Sequence, residues 1–327
     1  MNRRISANLT VTLPGMILLC AAALAAPAPA AAYAYVGNQV SGTVSVIDTS
    51  TDEVVRTLPD HGKIGKKIQA VVAARDEKHI FVVDADGNDL VEIDTASGKI
   101  VKHIPVGRAP EGASLSPSGK TIAVCVEEDN QVVLVDVATA TATHVIPTQG
   151  KNPEHCVFSR DEKWLMTGNE NSDDADIIDL AKDRSVGLVH TTGRSRGVAW
   201  LPGDRVAYVA EENSNGVNIV DVPGRRVLRL IPTGLRSADV IATRDGKTVF
   251  VSNGGAGTIS AIDTATEKVI ATIAVGKRPW NMALTHDGKK LYVANGHTGD
   301  VSVIDTAKLA VIKTIPVGKL PWGVNIP

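Results

Sequence analysis

The stretch Val301-Ser302-Val303-Ile304-Asp305-Thr306 has the pattern of a short strand that ends in an Asp-Thr turn, and the chain repeats it seven times. The copies are Ile47-Asp48-Thr49, Ile93-Asp94-Thr95, Val135-Asp136-Val137, Ile178-Asp179-Leu180, Val220-Asp221-Val222, Ile262-Asp263-Thr264 and Ile304-Asp305-Thr306. Their aspartates are separated by 46, 42, 43, 42, 42 and 42 residues. Such a period is typical of arrays in which each repeat is one small sheet that packs against its neighbours. Seven copies predict a closed ring.

Composition agrees with one repeat domain. The chain has 327 residues, a length that alone is compatible with two domains, but the repeat extends through almost all of it. Apolar residues make up 43% and aromatic residues only 3%, so the sheets must pack mainly through Val, Ile, Ala and Leu.

The first 32 residues have the pattern of a secretory signal peptide. Arg3 and Arg4 precede an apolar run at residues 16–26, and small residues follow as far as Ala32, where we expect cleavage. The run is shorter than the roughly 20 residues that span a bilayer. The prediction is therefore a periplasmic domain at residues 33–327. A lipoprotein anchored at Cys20 is the alternative, which the bulky Leu19 before it disfavours.

Removing residues 1–32 leaves 32 basic against 36 acidic residues, a net charge of −4. No overall positive field exists to attract nucleic acid, so we expect no nucleic-acid partner. Cys125 and Cys156 remain. They could form a disulfide in an exported protein, but two small buried side chains are the favoured interpretation because both lie in apolar strands.

Each repeat divides into four predicted strands, which are clearest near the C-terminus: residues 280–285, 291–295, 301–305 and 310–316. Alternating apolar residues, dense β-branching and the tight turn at His286-Asp287-Gly288-Lys289 favour antiparallel strands. The mature chain opens with the second strand of a repeat, Tyr35 to Asn38, and closes with a lone first strand, Trp322 to Ile326. We therefore predict an all-β, seven-bladed propeller whose last strand completes the sheet begun at the N-terminus, which removes the free edges.

Tyr292-Val293-Ala294-Asn295, the opening stretch and Ile315-Pro316-Val317-Gly318 together resemble the YVTN-type β-propeller repeat. A predicted secreted chain of seven such repeats is similar to the β-propeller proteins associated with pyrroloquinoline quinone-dependent alcohol catabolism. The resemblance implies a binding or accessory role beside a quinoprotein dehydrogenase or a transporter component. It carries over no catalytic residue.

Propeller geometry places two kinds of connection on opposite faces. We call the face with the second-to-third and fourth-to-first connections the loop face, and the other the turn face. Turn-face segments such as Asp287-Gly288-Lys289 are near-copies of one turn and need no function. On the loop face a basic residue follows the end of the fourth strand in every repeat, which predicts a positive ring around the central opening. The candidate residues are Lys63, Lys66, Arg108, Lys151, Arg194, Arg196, Arg236, Lys277 and Lys319. A solvated rim multiplied by duplication is the alternative.

Departures from the repeat indicate where a site could lie. Where one repeat has Pro279-Trp280-Asn281, others have Pro153-Glu154-His155 and Ser195-Arg196-Gly197. Glu154, His155 and Arg196 are the off-pattern group that could act in acid–base chemistry, and Trp280 and Trp322 could form an aromatic wall. Acidic or amide-rich loops surround this face, predicting an acidic rim around a basic mouth; they are Asp84-Ala85-Asp86-Gly87-Asn88-Asp89, Glu127-Glu128-Asp129-Asn130, Asn169-Glu170-Asn171-Ser172-Asp173-Asp174 and Glu211-Glu212-Asn213.

Other chemistries are disfavoured. The loop at residues 84–89 lacks the glutamate and flanking helices of an EF-hand, so a solvated turn is preferred. His61, His155 and His297 are too scattered to predict a metal site. No nucleophile elbow or phosphate-cradling glycine loop occurs.

The sequence therefore favours a monomeric periplasmic binding protein without catalytic activity. A small anion, with pyrroloquinoline quinone as the candidate, would bind at the basic mouth, where arginines grip carboxylates in a bidentate way. A lactonase-like hydrolase using Glu154, His155 and Arg196 is the first alternative, and a protein-interaction platform using the acidic rim is the second.

Overall fold

The computed structural model describes Met1 and residues 33–327, so the predicted signal peptide and Cys20 lie outside the described part of the chain. Residues 33–327 lie in one compact unit. Every regular element of residues 33–327 is a β-strand, and no helix there could cross a membrane. The strands are β1 Tyr33–Asn38, β2 Thr43–Asp48, β3 Glu53–Leu58, β4 Ile68–Ala73, β5 His79–Asp84, β6 Asp89–Asp94, β7 Lys99–Pro105, β8 Pro110–Leu115, β9 Thr121–Val126, β10 Gln131–Asp136, β11 Thr141–Pro147, β12 Pro153–Phe158, β13 Trp164–Asn169, β14 Asp174–Asp179, β15 Arg184–His190, β16 Ser195–Trp200, β17 Val206–Glu211, β18 Gly216–Asp221, β19 Arg226–Pro232, β20 Ser237–Ala242, β21 Thr248–Asn253, β22 Thr258–Asp263, β23 Lys268–Ala274, β24 Pro279–Leu284, β25 Lys290–Asn295, β26 Asp300–Asp305, β27 Ala310–Pro316 and β28 Pro321–Asn325.

These strands form seven four-stranded antiparallel sheets, which confirms the predicted propeller. Blade 1 combines β28 with β1, β2 and β3; blades 2 to 7 each take the next four strands in chain order, from β4–β7 to β24–β27. The inner strands that line the central channel are β4, β8, β12, β16, β20, β24 and β28. Blade 1 is closed as predicted, because β28 pairs with β1 in the register Tyr35↔Asn325 and Val36↔Val324.

The repeated Ile-Asp-Thr has a structural cause. The aspartate ends the third strand and its carboxylate accepts amide hydrogen bonds from the following turn, as Asp94 does from Ser97 at 2.7 Å. The threonine hydroxyl reaches the neighbouring turn, as Thr306 does to the Gly288 carbonyl at 2.6 Å. Local hydrogen bonds of this kind favour tight turns. The signature therefore shapes the turn face.

A second polar contact holds the second and third strands together near the loop face. In four blades the asparagine that ends the second strand donates to two side chains of the third, for example Asn253 to Thr258 at 3.1 Å and to Ser260 at 2.9 Å.

The core between the blades is mainly aliphatic, and its largest fully buried side chains include Tyr208, Tyr292 and Phe81. The low aromatic content is therefore sufficient for a well-packed core, because Val, Ile and Ala side chains fill most of the space between the sheets.

Cys125 and Cys156 are both buried and unbridged. They belong to one apolar cluster between blades 3 and 4, together with Leu134, Phe158 and Leu165. Their placement agrees with the interpretation as small buried side chains.

Candidate functional site at the central channel

The channel is lined by corresponding positions of the seven inner strands. The second residue of each inner strand lies towards the loop face, and in chain order these residues are Gln69, Glu111, Glu154, Arg196, Ala238, Trp280 and Trp322. The third residues form the next layer and are Ala70, Gly112, His155, Gly197, Asp239, Asn281 and Gly323. The off-pattern residues recognised in the sequence thus meet in the channel, because equivalent positions of a toroid face one axis.

Arg196 is the centre of a buried group of charges. Its guanidinium donates to Glu170 at 2.9 Å, to Glu212 at 3.0 Å and to Glu154. Arg196 is 6% exposed and Glu154 is fully buried. Burial disfavours the charge, but the surrounding carboxylates outweigh it and raise the pKa of Arg196. The guanidinium is therefore held charged by three glutamates, of which Glu154 lies on an inner strand and Glu170 and Glu212 lie in the second-to-third connections of blades 4 and 5.

Further arginines converge on one of these glutamates. Arg194 donates to Glu212 at 2.8 Å, Arg236 at 2.6 Å and Arg278 at 3.2 Å. Burial opposes ionisation of Glu212, yet Arg196 and the other arginines lower its pKa to about 2. We call the whole group the loop-face ion cluster, and its members are Glu111, Glu127, Glu154, Glu170, Glu212, Arg194, Arg196, Arg236 and Arg278.

Within residues 33–327, the blade 3 carboxyl groups Glu111 and Glu127 form no ion pair with these arginines, although the Arg196 charge helps to lower the pKa of Glu111. Burial, together with the Glu111 charge, raises the pKa of Glu127 to about 9. Burial also opposes ionisation of Glu111, but its hydrogen bond with Glu127 lowers its pKa. Glu127 therefore carries the proton at neutral pH and donates it to the Glu111 carboxylate. Two adjacent carboxyl groups share one charge in this way because both cannot ionise at close range.

The pH dependence of stability should report this shared proton. Folded protein keeps Glu127 protonated, whereas the unfolded chain releases that proton near pH 4.5, so its stabilisation declines between about pH 4.5 and 9. Burial also raises the pKa values of Asp239 and Glu211, each to about 7, and raises that of Glu154 well above its ordinary value, so Glu127 and Glu154 contribute above neutrality. From pH 7 to 9 we expect the free energy of unfolding to fall by up to about 1.4 kcal/mol per pH unit for each of these two groups.

Urea unfolding of wild type, Glu127→Gln and Glu128→Gln across this pH range measures the effect. Glu127→Gln should reduce the slope above pH 7, and Glu128→Gln, at the exposed neighbouring position, should retain the wild-type slope. Equal slopes in all three proteins would contradict the protonated Glu127.

The predicted positive ring around the loop-face opening is not what the geometry shows. Arg194, Arg196 and Arg236 are neutralised by glutamates that the sequence had assigned to the acidic rim. Arg108 pairs with Asp129 at 2.7 Å. The remaining predicted cations are exposed and lie outside the loop-face ion cluster; they are Lys63, Lys66, Lys151, Lys277 and Lys319.

These lysines miss the cluster because the position whose side chain reaches it is one residue later in the chain. The residue just before six of the seven inner strands has a positive φ, and in three neighbouring blades that residue is an arginine that reaches the cluster; the three are Arg194 (51°), Arg236 (57°) and Arg278 (56°). Lys277 precedes this position and remains in solvent. The sequence pattern singled out Lys277 and overlooked Arg278. A usable signal was present in Glu127, Glu170 and Glu212, which each follow directly on the second strand of their blade.

His155 closes the channel beneath the cluster. Its Nε2 contacts Asn281 Oδ1 at 3.0 Å across the channel, and its ring stacks on Trp322 with centroids 5.7 Å apart. Burial, assisted by the Arg196 charge, lowers the pKa of His155 to about 4, so the ring is neutral at pH 7 and donates its Nε2 proton to Asn281. Its Nδ1 lies 3.8 Å from Glu154 Oε1.

The two tryptophans do not form the predicted open aromatic wall. Trp322 is 4% exposed and its ring faces His155. Trp280 is half-buried, with the Arg278 guanidinium 5.7 Å above its ring and His297 at its edge. Both rings therefore serve packing inside the channel and its loop-face end.

A cavity of about 430 Å³ lies on the other side of His155. His155, Asp239, Asn281 and Trp322 line its inner part, and residues of the turn face surround its mouth, namely Arg75, Pro117, Arg244 and His286. A second hollow of about 680 Å³ shares Arg244 and His286 and adds Arg160. The channel is therefore closed at the loop face and hollow towards the turn face, the face that the sequence interpretation had set aside.

No metal centre is indicated by the part of the chain that the structure describes. Residues 33–327 contain no group of three or more His, Cys, Asp or Glu side chains that could hold a metal ion. The acidic loop at residues 84–89 instead borders a hollow of about 660 Å³ that also contains Lys66, Lys67 and Arg108.

The architecture defines a seven-bladed β-propeller with a one-ended central cavity. The family model described as YNCE-like beta-propeller matches residues 20–116 and 192–326, and the chain belongs to that family. Its fold is similar to that of Kuenenia stuttgartiensis hydrazine synthase, with a TM-score of 0.74 and 21% identity over 84% of this chain and 92% of that one. It is also similar to a functionally unknown protein from Desulfotomaculum acetoxidans DSM 771, with a TM-score of 0.76 and 15% identity over 90% and 98% of the two chains. No curated protein matches the sequence. At these identities the two structures support the fold alone.

Proposed function

We propose that this chain is an exported, non-catalytic binding protein that serves pyrroloquinoline quinone-dependent alcohol catabolism or the associated transport. The observation that supports binding most directly is the one-ended cavity of about 430 Å³. Ligand sites are commonly concave hollows of roughly 300–1,000 Å³. The link to the quinone rests on the resemblance of the repeats and on the predicted signal peptide. A monomer that delivers its ligand to a quinoprotein dehydrogenase or a transporter component is the corresponding model.

The pairing of the acid–base residues favours binding over catalysis. Arg196 is surrounded by three carboxylates, and Glu154 is fully buried and does not line the cavity. His155 does line it, but its Nε2 is bonded to Asn281. A general acid or base must come within hydrogen-bond reach of the substrate. Among these residues only a reoriented His155 could do so.

A lactonase-like activity is the second candidate because neutral His155 lies 3.8 Å from Glu154 at the cavity floor. If the pair acts in acid–base chemistry, replacing either residue should lower lactone hydrolysis by roughly 10²-fold. We expect instead that the mature protein hydrolyses no lactone above the buffer rate. Turnover of any lactone that is lost in His155→Ala would overturn the non-catalytic assignment.

The proposal is tested by calorimetric titration of pyrroloquinoline quinone into the mature protein at low and at physiological salt. We expect binding that weakens as salt rises, since attraction between exposed charges is screened over about 8 Å at physiological ionic strength. The comparison is the same titration with an uncharged planar compound, which should not bind. Absence of quinone binding at low salt would remove the quinone from the proposed function.

A further inference from the structure

The two ends of the channel differ in how their arginines are neutralised. At the loop-face end Arg194, Arg196 and Arg278 each contact a glutamate. At the turn-face end Arg75 and Arg244 border the cavity, and neither makes an ion pair within residues 33–327. Among the arginines that border the channel, the two without an ion-pair partner therefore lie at the end that is hollow.

Backbone carbonyls and a histidine orient these side chains. Arg75 donates to the Pro117 carbonyl and Arg160 donates to the Arg244 carbonyl at 2.7 Å. Arg244 Nη2 lies 3.2 Å from His286 Nε2, which must accept because a guanidinium only donates. None of these contacts removes the positive charge, so the mouth is both preorganised and cationic.

The aspartates of the same turns are engaged elsewhere. Lys163 pairs with Asp161 at 3.0 Å, and Lys289 pairs with Asp287 at 3.2 Å. Asp204 accepts the backbone amides of Arg160 and Asp161, both at 3.0 Å. These carboxylates are satisfied by groups of the same or the neighbouring turn, which leaves the mouth arginines available to an outside anion.

Repeat duplication does not account for the arrangement. The position after the first residue differs among the six turns that join a first strand to a second strand; it is arginine at Arg75, Arg160 and Arg244, proline at Pro117 and Pro202, and histidine at His286. A simple copy of one turn would place the same residue in every blade. The pattern instead places Arg75, Arg244 and His286 at the mouth of the cavity, and Arg160 at the adjoining hollow.

We propose that the turn-face end of the channel binds a small molecule carrying two or three carboxylates. This inference rests on the proposed binding function and specifies its site and ligand class. Arginine forks match carboxylates in a bidentate way. Val71, Ile241 and Val324 line the walls and would contact a compact carbon skeleton, while Asn281 and Asp239 supply polar groups further in.

The test uses benzene-1,3,5-tricarboxylate as the probe, with its uncharged triamide as the matched compound. Calorimetry at low salt compares wild type with Arg244→Gln, Arg75→Gln and Arg108→Gln. Arg108 is an exposed loop-face arginine and serves as the control. Each charge-assisted bond that is lost should weaken binding about tenfold or more. We expect that loss in the first two variants, unchanged affinity in the control and no binding of the triamide.

The possible outcomes distinguish failure of this site from failure of the proposed quinone function. Tricarboxylate binding that depends on Arg244 and Arg75, without quinone binding, would support the site and exclude the quinone as its ligand. Quinone binding that ignores both substitutions would keep the proposed function and overturn this site. Failure of the tricarboxylate to bind at low salt, or equal weakening in Arg108→Gln, would also overturn it. Arg244 is exposed, and thermal melting should show that Arg244→Gln folds like wild type.

Discussion

Deleting residues 320–327 is expected to abolish the stable ring. The deletion removes β28, the inner strand of blade 1, and leaves β1 with an unpaired edge at the channel. It also removes Trp322, which packs into the apolar cluster of blades 2 and 3, and Asn325, whose side chain accepts the Ala73 amide at 2.9 Å. Loss of a buried tryptophan alone typically costs about 3–5 kcal/mol. Whole domains are stable by only about 5–15 kcal/mol.

The measurement is thermal and urea unfolding of the truncated mature protein. We expect either no cooperative transition or a midpoint far below that of the parent. A shorter deletion, of Ile326 and Pro327 alone, leaves β28 intact and should change the midpoint little. If the protein without residues 320–327 melts like the parent, closure by β28 does not stabilise the ring.

Replacing Arg196 by methionine should be the most destabilising single change in the channel. Methionine keeps much of the side-chain volume but leaves Glu154, Glu170 and Glu212 without the cation that they share. Removing one partner of a buried ion pair typically costs about 3–5 kcal/mol because the other charge remains buried. Glu212 keeps Arg194, Arg236 and Arg278, so the main cost falls on Glu154.

Urea unfolding at pH 7 compares Arg196→Met with Lys319→Met on the exposed loop face. The surface variant should remain within about 1 kcal/mol of wild type. Adding Glu154→Gln to Arg196→Met should recover part of the lost stability, because the glutamine carries no charge to bury. A wild-type free energy of unfolding for Arg196→Met would mean that the cluster is solvated and not a buried network.

The sequence by itself determined the architecture. Three features of the sequence predict the same four-stranded unit: the regular spacing of the seven repeated aspartates from Asp48 to Asp305, the residues of the turns, and the alternation of apolar and polar residues in the strands. Even the closure of blade 1 followed from the order of the predicted strands at the start and at the end of the mature chain. These predictions succeeded because strand and turn preferences depend on residues close in sequence.

The sequence also identified Glu154, His155 and Arg196 as exceptional, and the structure places them together in the channel. It did not determine what these residues do there. Their significance depends on partners in other blades, such as Asn281 for His155 and Glu170 for Arg196.

Only the tertiary structure decided at which end of the channel the arginines are neutralised and which end is hollow. Arg278 and Glu212 are 66 residues apart, and their contact helps to neutralise the opening that the sequence predicted to be positive. The positive φ of Arg278 turns it, and not Lys277, towards the axis. The electrostatic character of a toroid's opening is a sum over side chains from all seven blades, each weighted by its burial and its nearest partner. The repeat supplies the positions of those side chains, and the closed ring decides which of them meet.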